Sequence, residues 1–173
     1  MSLLEGKKVL IFVGDAYEDL ELWYPKIRLE EESAKITLAG PDAGTIYKGK
    51  NGYPCKSDVS YMNVEAVDFD ALVIPGGYMP DKLRRDPRVL EITRNFNIQG
   101  KLVAFICHAG WIPISAKIVN GRKMTSVNAI KDDLMNAGAT WVDEPVVVDN
   151  NFITSRTPVD LGHFMKAIID YLK

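Results

Sequence analysis

The stretch KLVAFICHAGWIP, residues 101–113, decides the fold class of this 173-residue chain. Its five apolar residues, Leu102–Ile106, lead without a polar position into Cys107. A strand of that kind is buried on both faces, which is typical of a parallel sheet covered by helices. In open α/β sheets, ligands bind beyond the carboxyl ends of the strands, so Cys107 and His108 lie where chemistry is expected.

Similar apolar segments occur on both sides of this stretch, and helical patterns separate them. We predict further strands at Lys8–Val13, Ala34–Ala39, Ala71–Pro75, Met124–Val127, Val146–Asp149 and Phe152–Ser155. The alternation predicts a doubly wound α/β sandwich, with a mostly parallel sheet and helices on both faces. The dipeptide Asn51-Gly52 predicts a β-hairpin turn and therefore a small antiparallel insertion.

The first and last helices have recognisable apolar and capping patterns. Leu20, Trp23 and Ile27 have the spacing of an apolar stripe on the first helix. The last helix is expected to begin with a capping box formed by Thr157 and Asp160. Its predicted buried face consists of four apolar residues, Leu161, Phe164, Ile168 and Leu172.

Composition limits the classes of function. The 21 Lys and Arg residues nearly balance the 23 Asp and Glu residues, so the chain lacks the basic surface of a nucleic-acid or membrane-binding protein. The spacing of two cysteines and two histidines argues against a disulfide framework or a zinc site, and we assign Cys55 and His163 to structure. We expect one domain, residues 1–173, in the cytoplasm, with no cofactor, metal or membrane segment.

The loop after the first predicted strand is acidic, with Asp15, Glu18 and Asp19 in the segment GDAYEDLE. Nucleotide phosphates are held by glycine-rich loops, whereas three carboxylates would repel a phosphate. A dinucleotide or flavin site is therefore not expected. We assign Asp15 and Asp19 to helix capping and to pairing with the helix dipole, while the residue pattern alone leaves the role of Glu18 open.

Two further strand ends carry polar signals. Gly76 and Gly77 form a tight turn whose N–H groups are either half of an oxyanion hole or only part of a turn. Cys107 stands where a strand meets a helix, which suits a nucleophile at a sharp turn and equally a buried core thiol. His108 is the nearest base, although neighbouring side chains at a turn usually diverge.

Together, these strand ends resemble the ThiJ/PfpI family over nearly the whole chain. The matching segments are YEDLELWYP (17–25), FDALVIPGGYMPDKLR (69–84), FICHAG (105–110), KDDLMNAGA (131–139) and FITSRTPVDL (152–161). Each segment alone is a weak signal, but their order and spacing are highly specific. The resemblance implies a flavodoxin-like α/β sandwich, a reactive cysteine at a nucleophile elbow and a homo-oligomer, either a dimer or a hexamer.

The resemblance also implies roles for particular residues. Cys107 is the implied nucleophile, His108 its neighbouring base, and Glu18 the acid that hydrogen-bonds the thiol. Asp81 of an adjacent subunit would orient the histidine, which puts Asp81 near an interface. The implied oxyanion site consists of backbone amides, those of Gly76, Gly77 and His108.

Three positions depart from the family pattern. Asp81 stands where relatives often carry Glu, Ala109 where Gly is frequent, and Val127 where an aromatic residue is common. Asp81 keeps a carboxylate with a shorter reach. The loss of an aromatic ring at Val127 would change the wall of the pocket, so these departures affect the substrate more than the fold.

The resemblance implies a cysteine-dependent enzyme that attacks carbonyl groups. Its substrate would be either a peptide or a small carbonyl compound, with hydrolysis or glyoxal and methylglyoxal detoxification, including deglycation, as the reaction. Both chemistries begin with thiolate attack, so the sequence does not separate them. We expect the pKa of Cys107 to lie below about 8.5. The alternative is a redox sensor or chaperone-like stress protein that uses the same reactive cysteine.

Overall fold

The computed structural model describes residues 2–173. Its strands are β1 (Lys8–Phe12), β2 (Lys35–Gly40), β3 (Ile46–Lys48), β4 (Pro54–Lys56), β5 (Val59–Ser60), β6 (Ala71–Ile74), β7 (Leu102–Ile106), β8 (Lys123–Met124), β9 (Thr140–Trp141), β10 (Val146–Asp149) and β11 (Phe152–Ser155). Its α-helices are α1 (Asp19–Glu31), α2 (Met79–Leu83), α3 (Pro87–Ile98), α4 (Trp111–Ser115), α5 (Lys131–Asn136) and α6 (Leu161–Leu172).

Seven strands form one sheet in the order β10-β11-β7-β6-β1-β2-β5. Every pairing in this sheet is parallel except the one between β10 and β11. Each residue of β6 and β7 is buried, as expected for strands covered on both faces. The predicted flavodoxin-like α/β sandwich is confirmed.

Two small sheets lie outside the main one. Strands β3 and β4 pair antiparallel, and Gly52 in their connection has a φ of +95°, so the predicted hairpin insertion is confirmed. Strands β8 and β9 pair parallel over two residues each. The sequence indicated no strand at β9, because two residues are too few to show an alternating pattern.

Helix α1 buries a different face from the one predicted. Leu22, Pro25 and Leu29 are buried, whereas Leu20 and Ile27 are 57% and 49% exposed. Both sets have helical spacing, and a face with i, i+3 and i+7 apolar positions can pack on a sheet in either case. The expected stripe through Leu20 and Ile27 is therefore wrong.

Helix α6 has the predicted buried face but not the predicted cap. Thr157 makes no capping hydrogen bond with its side chain, and Asp160 instead forms an ion pair of 2.8 Å with Arg156. The capping box is therefore wrong, because the arginine competes for the carboxylate. The four predicted core residues are all buried, Leu161, Phe164, Ile168 and Leu172.

The sheet order determines where functional residues can meet. Strands β1, β6 and β7 are neighbours, and in a parallel sheet their carboxyl ends lie at one edge. The acidic loop, the glycine turn and Cys107 follow these three strands and therefore converge there. Within residues 2–173, no helix has the length and apolar character needed to cross a membrane.

Candidate active site

Cys107 occupies a sharp turn between β7 and the next helical segment. Its φ is +62°, in the left-handed region that residues with a side chain seldom adopt. A 3₁₀ turn over Cys107–Gly110 follows and continues into α4. The strand holds the residue before the turn in an extended conformation, so the chain reverses within one residue. Such strained positions are concentrated at functional sites.

The side chain of His108 lies beside the thiol, although the side chains of neighbouring residues at a turn usually diverge. The Sγ atom of Cys107 is 3.3 Å from Nδ1 of His108. Burial, followed by the charge of Lys50, lowers the pKa of His108 below 6.5, so the imidazole is neutral at pH 7. In the tautomer with its proton on Nε2, Nδ1 can accept the proton of the thiol.

The carboxyl group beside the thiol belongs to Glu21, which the sequence reasoning missed. Glu21 is fully buried, and its Oε2 accepts a hydrogen bond of 2.8 Å from Gly76 N. A methyl group added to Gly76 would collide with both Glu21 and Cys107, which shows how closely the two side chains approach that glycine.

The structure gives Glu18 a different position from the one the resemblance implied. Glu18 caps α1, and its Oε2 accepts a hydrogen bond of 2.9 Å from Glu21 N. Glu18 therefore contacts Glu21, the acid beside the thiol, through the backbone N–H of Glu21. A signal for Glu21 was available, because it lies one helical turn before Pro25, on the side of α1 that faces the sheet.

Burial keeps Glu21 protonated at neutral pH. Desolvation, followed by the charge of Glu18, raises the pKa of Glu21 to about 8. Its Oε1 atom is buried and has no hydrogen-bond partner of good geometry within residues 2–173, which adds to the cost of ionisation. A protonated carboxyl group can donate one hydrogen bond. Glu21 is thus a proton donor beside the sulfur of Cys107.

The environment acts on the Cys107 thiol in both directions. Burial, followed by the charge of Glu21, raises its pKa, whereas the N–H groups of His108 and Gly77 lower it. Burial prevails, so the expected depression of the thiol pKa is wrong. The helix after the turn, α4, has only five residues and gives little dipole to oppose burial. Since Glu21 and Cys107 share a site, their protons are released as a coupled pair.

The glycine turn after β6 brings the backbone N–H of Gly77 near the sulfur. Gly77 has a φ of +83°, and a Cβ atom there would collide with the backbone of Ala16 and Glu18. Only glycine fits this close approach. The N–H groups of Gly77 and His108 both lower the pKa of the Cys107 thiol, so they lie near the sulfur. Gly76 points its N–H at Glu21 instead, so two of the three amides that the resemblance implied lie near Cys107.

Asp81 does not contact His108 within the chain. It lies in the first turn of α2, its side chain is 45% exposed, and it forms an ion pair of 2.5 Å with Arg85. A Cys-His-Asp triad is therefore not assembled within one subunit. Its implied role across an interface stays a prediction.

A small cleft of about 150 Å³ opens over the sulfur. Its lining consists of five residues, Lys50, Gly77, Tyr78, Cys107 and His108. Neither Lys50 nor Tyr78 was singled out from the sequence. Lys50 lies in the hairpin loop far from Cys107 along the chain, so only the fold brings the two together. Val127 lines a second cleft, of about 440 Å³, with Trp141 and Arg156.

Asp15 and Asp19 hold the hairpin loop instead of capping α1. Asp15 Oδ1 accepts a hydrogen bond of 3.2 Å from Lys48 N. Asp19 accepts hydrogen bonds of 3.0 Å from the backbone N–H groups of Asn51 and Tyr53. The predicted capping by these two aspartates is therefore wrong, because the loop offers them backbone donors, whereas Asp19 lies in the first turn of α1, as the predicted pairing with the helix dipole requires.

Cys55 and His163, which the sequence assigned to structural roles, lie at positions that agree with those roles. Cys55 is 2% exposed in β4, and burial raises the pKa of its thiol to about 11. His163 lies on the exposed side of α6. Neither residue lines the cleft over Cys107.

Comparison with known proteins identifies a family and close relatives. The DJ-1/PfpI family model matches residues 7–171. The protein named Deglycase PH1704 of Pyrococcus horikoshii is 45% identical over 166 residues, which is 96% of this chain and 99% of the relative. YraA of Bacillus subtilis, named a candidate cysteine protease, is 40% identical over 168 residues, 97% of this chain and 99% of the relative.

A solved structure shares the fold. It is a two-domain protein of Anabaena variabilis with DJ-1/ThiJ/PfpI-like and ferritin-like domains, and it superimposes with a TM-score of 0.94 at 41% identity. The alignment covers 96% of this chain and 48% of that protein. The present chain therefore spans about half of that two-domain protein.

Proposed function

Because the chain belongs to the DJ-1/PfpI family, we propose that it is an enzyme whose Cys107 sulfur adds to the carbonyl carbon of a small substrate. The observation that carries this proposal is the geometry at Cys107. A strained residue holds its sulfur at a cleft, 3.3 Å from a neutral imidazole nitrogen and near the backbone N–H groups of Gly77 and His108. Base, nucleophile and oxyanion donors are the parts that acyl or carbonyl addition requires.

In the first step, the S–H proton of Cys107 passes to Nδ1 of His108 while the sulfur forms a bond to the carbonyl carbon. The π electrons of the carbonyl group move to its oxygen. The N–H groups of Gly77 and His108 stabilise the resulting oxyanion. Transfer of the proton from the imidazolium to this oxygen then gives a hemithioacetal, and atoms and charge balance. A raised thiol pKa is compatible with this step, because the base removes the proton during attack.

The size of the cleft favours small carbonyl compounds over peptides. Its volume of about 150 Å³ is below the roughly 300 Å³ at which pockets for drug-sized ligands begin. A dicarbonyl compound with a few heavy atoms fits this space, whereas an extended peptide needs a longer groove. The name of the Pyrococcus horikoshii relative agrees with deglycation. We therefore place glyoxal-type detoxification and deglycation before peptide hydrolysis.

Assembly into a homo-oligomer is part of the proposal. The exposed carboxylate of Asp81 is available to a neighbouring subunit, since its ion pair with Arg85 lies at the surface and contributes little. A second copy that presents Asp81 to His108 would orient the imidazole and stabilise its protonated form. This contact would complete a Cys-His-Asp triad across the interface.

The experiment that tests the function compares wild type with Cys107→Ser on methylglyoxal and on a fluorogenic peptide. Cys55→Ser is the matched control, because it removes the other thiol from a buried site. We expect turnover of methylglyoxal by wild type and by Cys55→Ser, and none by Cys107→Ser. Turnover of the peptide alone would make the protein a peptidase. Turnover of neither substrate would support the redox-sensor or chaperone alternative.

A further inference from the structure

We propose that Lys50 makes this site selective for carbonyl substrates that carry a negative charge next to the reactive carbon, as the carboxylate of a 2-oxo acid does. The inference deepens the proposed function, and it rests on Cys107 being the nucleophile. It concerns a lysine from the β3–β4 loop, an element separate from the three strand ends that hold the other groups of the site.

The position of Lys50 in the cleft is the first argument. Lys50 shares the lining of the small cleft with Cys107 and His108, and it is exposed to solvent. Within residues 2–173 the ammonium group of Lys50 has no ion-pair partner, unlike Lys26 and Lys173, which pair with nearby acids. The charge is therefore free to bind a ligand.

The second argument is that the loop is fixed in place. Lys50 N donates a hydrogen bond of 2.8 Å to Tyr17 O. The neighbouring Asn51 N donates to Asp19, and a side chain at Gly49 would collide with the same carboxylate. The loop is thus bound to residues 17–19, which also contact the glycine turn. A fixed backbone lowers the entropy cost of presenting the lysine to a ligand.

The remaining groups of the cleft leave its charge positive. Glu21 is protonated at neutral pH and His108 is neutral, so neither cancels the ammonium charge of Lys50. Glu18 is buried at the N-terminus of α1 and does not line the cleft, so Lys50 supplies the charge of the lining itself. The charge of Lys50 lowers the pKa of both His108 and Glu21, so its field reaches both sides of Cys107.

The site would therefore select substrates by the charge of the group attached to the reacting carbonyl carbon. A substrate carbonyl whose oxygen faces the N–H groups of Gly77 and His108 would keep its adjacent carbon within the small cleft that the exposed Lys50 also lines. A carboxylate at that position, as in glyoxylate, gains a Coulombic attraction, whereas the neutral acetyl group of methylglyoxal gains none. Partial exposure limits the preference to roughly fivefold at a separation of about 4 Å.

Two alkylating reagents of nearly the same size test this selectivity without requiring turnover. Iodoacetate is an anion and iodoacetamide is neutral, and both react with thiols by the same displacement. In a Cys55→Ser background, the ratio of their rates at Cys107 isolates the effect of charge, because any change in thiol or histidine pKa acts on both rates. We expect Lys50→Met to lower the iodoacetate/iodoacetamide ratio roughly fivefold and Lys50→Arg to preserve it.

Lys48→Met is the matched control, since Lys48 is exposed on the same hairpin but does not line the cleft. The iodoacetate/iodoacetamide ratio should not change in Lys48→Met. In the Cys55→Ser protein with Lys50 intact, the same ratio should fall as ionic strength rises. A ratio unchanged by Lys50→Met, or lowered equally by Lys48→Met, would overturn the proposal.

A second measurement separates this proposal from the proposed function. The kcat/KM ratio for glyoxylate over methylglyoxal should fall in Lys50→Met. If wild type turns over methylglyoxal and Lys50→Met changes neither ratio, the carbonyl chemistry stands and the selectivity is rejected. If the alkylation ratio falls but neither carbonyl compound is turned over, Lys50 still selects anions at Cys107 and the carbonyl chemistry is rejected. Failure of both reagents to modify Cys107 would reject both.

Discussion

The Sγ atom of Cys107 lies 3.3 Å from Nδ1 of His108, the residue that follows it in the chain. Adjacent side chains usually diverge at a turn, and the φ of +62° at Cys107 is what brings these two together. The contact supplies a base without a contribution from a distant segment. It also leaves the far side of the imidazole open to a partner, which the exposed Asp81 of another subunit would provide.

Replacement of Glu21 by Gln should stabilise the protein at alkaline pH. The folded-state pKa of Glu21 is raised to about 8 from 4.5, so the folded state resists ionisation and loses stability as pH rises from about 4.5 to about 8. Gln keeps the acceptor for Gly76 N but does not ionise. We expect a gain on the order of 5 kcal/mol above pH 8 and almost none below pH 4.5.

Chemical denaturation at pH 4.5 and pH 9 measures this difference in the free energy of unfolding. Glu31→Gln is the control, because Glu31 lies on the same helix with its side chain 62% exposed. An equal effect of Glu21→Gln at both pH values would show that Glu21 is not held protonated by burial.

The sequence predicted where in the fold the site lies better than it predicted which acid lies beside the thiol. Continuous apolar strands such as Leu102–Ile106 require a covered parallel sheet, and the sheet order then brings three loops together. Glu18 and Glu21, by contrast, lie three residues apart on one helix. Which of them faces the thiol depends on how α1 rotates against the sheet.

The same rotation explains the error over the apolar stripe of α1. The helix has apolar residues at two sets of helical positions, and packing on the sheet selects Leu22 and Leu29 instead of Leu20 and Ile27. Lys50 was beyond prediction for a different reason. Its approach to Cys107 depends on a hairpin folding back over the sheet edge, a contact between distant segments that local patterns do not encode.

Removal of the Lys50 charge should move the acid limb of Cys107 reactivity to higher pH. Burial is the first cause of the lowered pKa of His108, and the positive charge of Lys50 is the second. Lys50→Met removes only the second, so the pKa of His108 should rise towards 6.5. The rate of iodoacetamide reaction between pH 4.5 and pH 7.5 reports the acid limb. If the acid limb stays at the same pH in Lys50→Met, or moves to lower pH, the charge of Lys50 does not lower the pKa of His108.

Replacement of Gly77 by Ala should damage both stability and activity. The substitution adds a Cβ to a residue with a φ of +83° and drives it into the backbone of Ala16. Gly121→Ala is a matched control, because Gly121 has a φ of +76° but no atom within 4 Å of the added Cβ. Both variants bear conformational strain of roughly 1 kcal/mol, and Gly77→Ala should lose at least about 1 kcal/mol more. Equal melting temperatures for the two variants would argue against a tight turn at Gly77.

Complementation between subunits tests the role of Asp81. Asp81→Asn and Cys107→Ser should each have low activity alone. If Asp81 acts on the histidine of another subunit, a mixed oligomer contains sites with an intact Cys107 and an intact Asp81, so part of the activity should return on mixing after dissociation and reassembly. Full activity of Asp81→Asn, or no recovery in mixed oligomers, would remove Asp81 from the site.

The most direct test of the central claim is the turnover of methylglyoxal by wild type, Cys107→Ser and Cys55→Ser, measured at equal concentrations of folded protein. If the sulfur of Cys107 is the nucleophile, Cys107→Ser falls to the uncatalysed rate, since serine lacks an acidic thiol, while Cys55→Ser retains wild-type turnover. Turnover that survives in Cys107→Ser would contradict the claim.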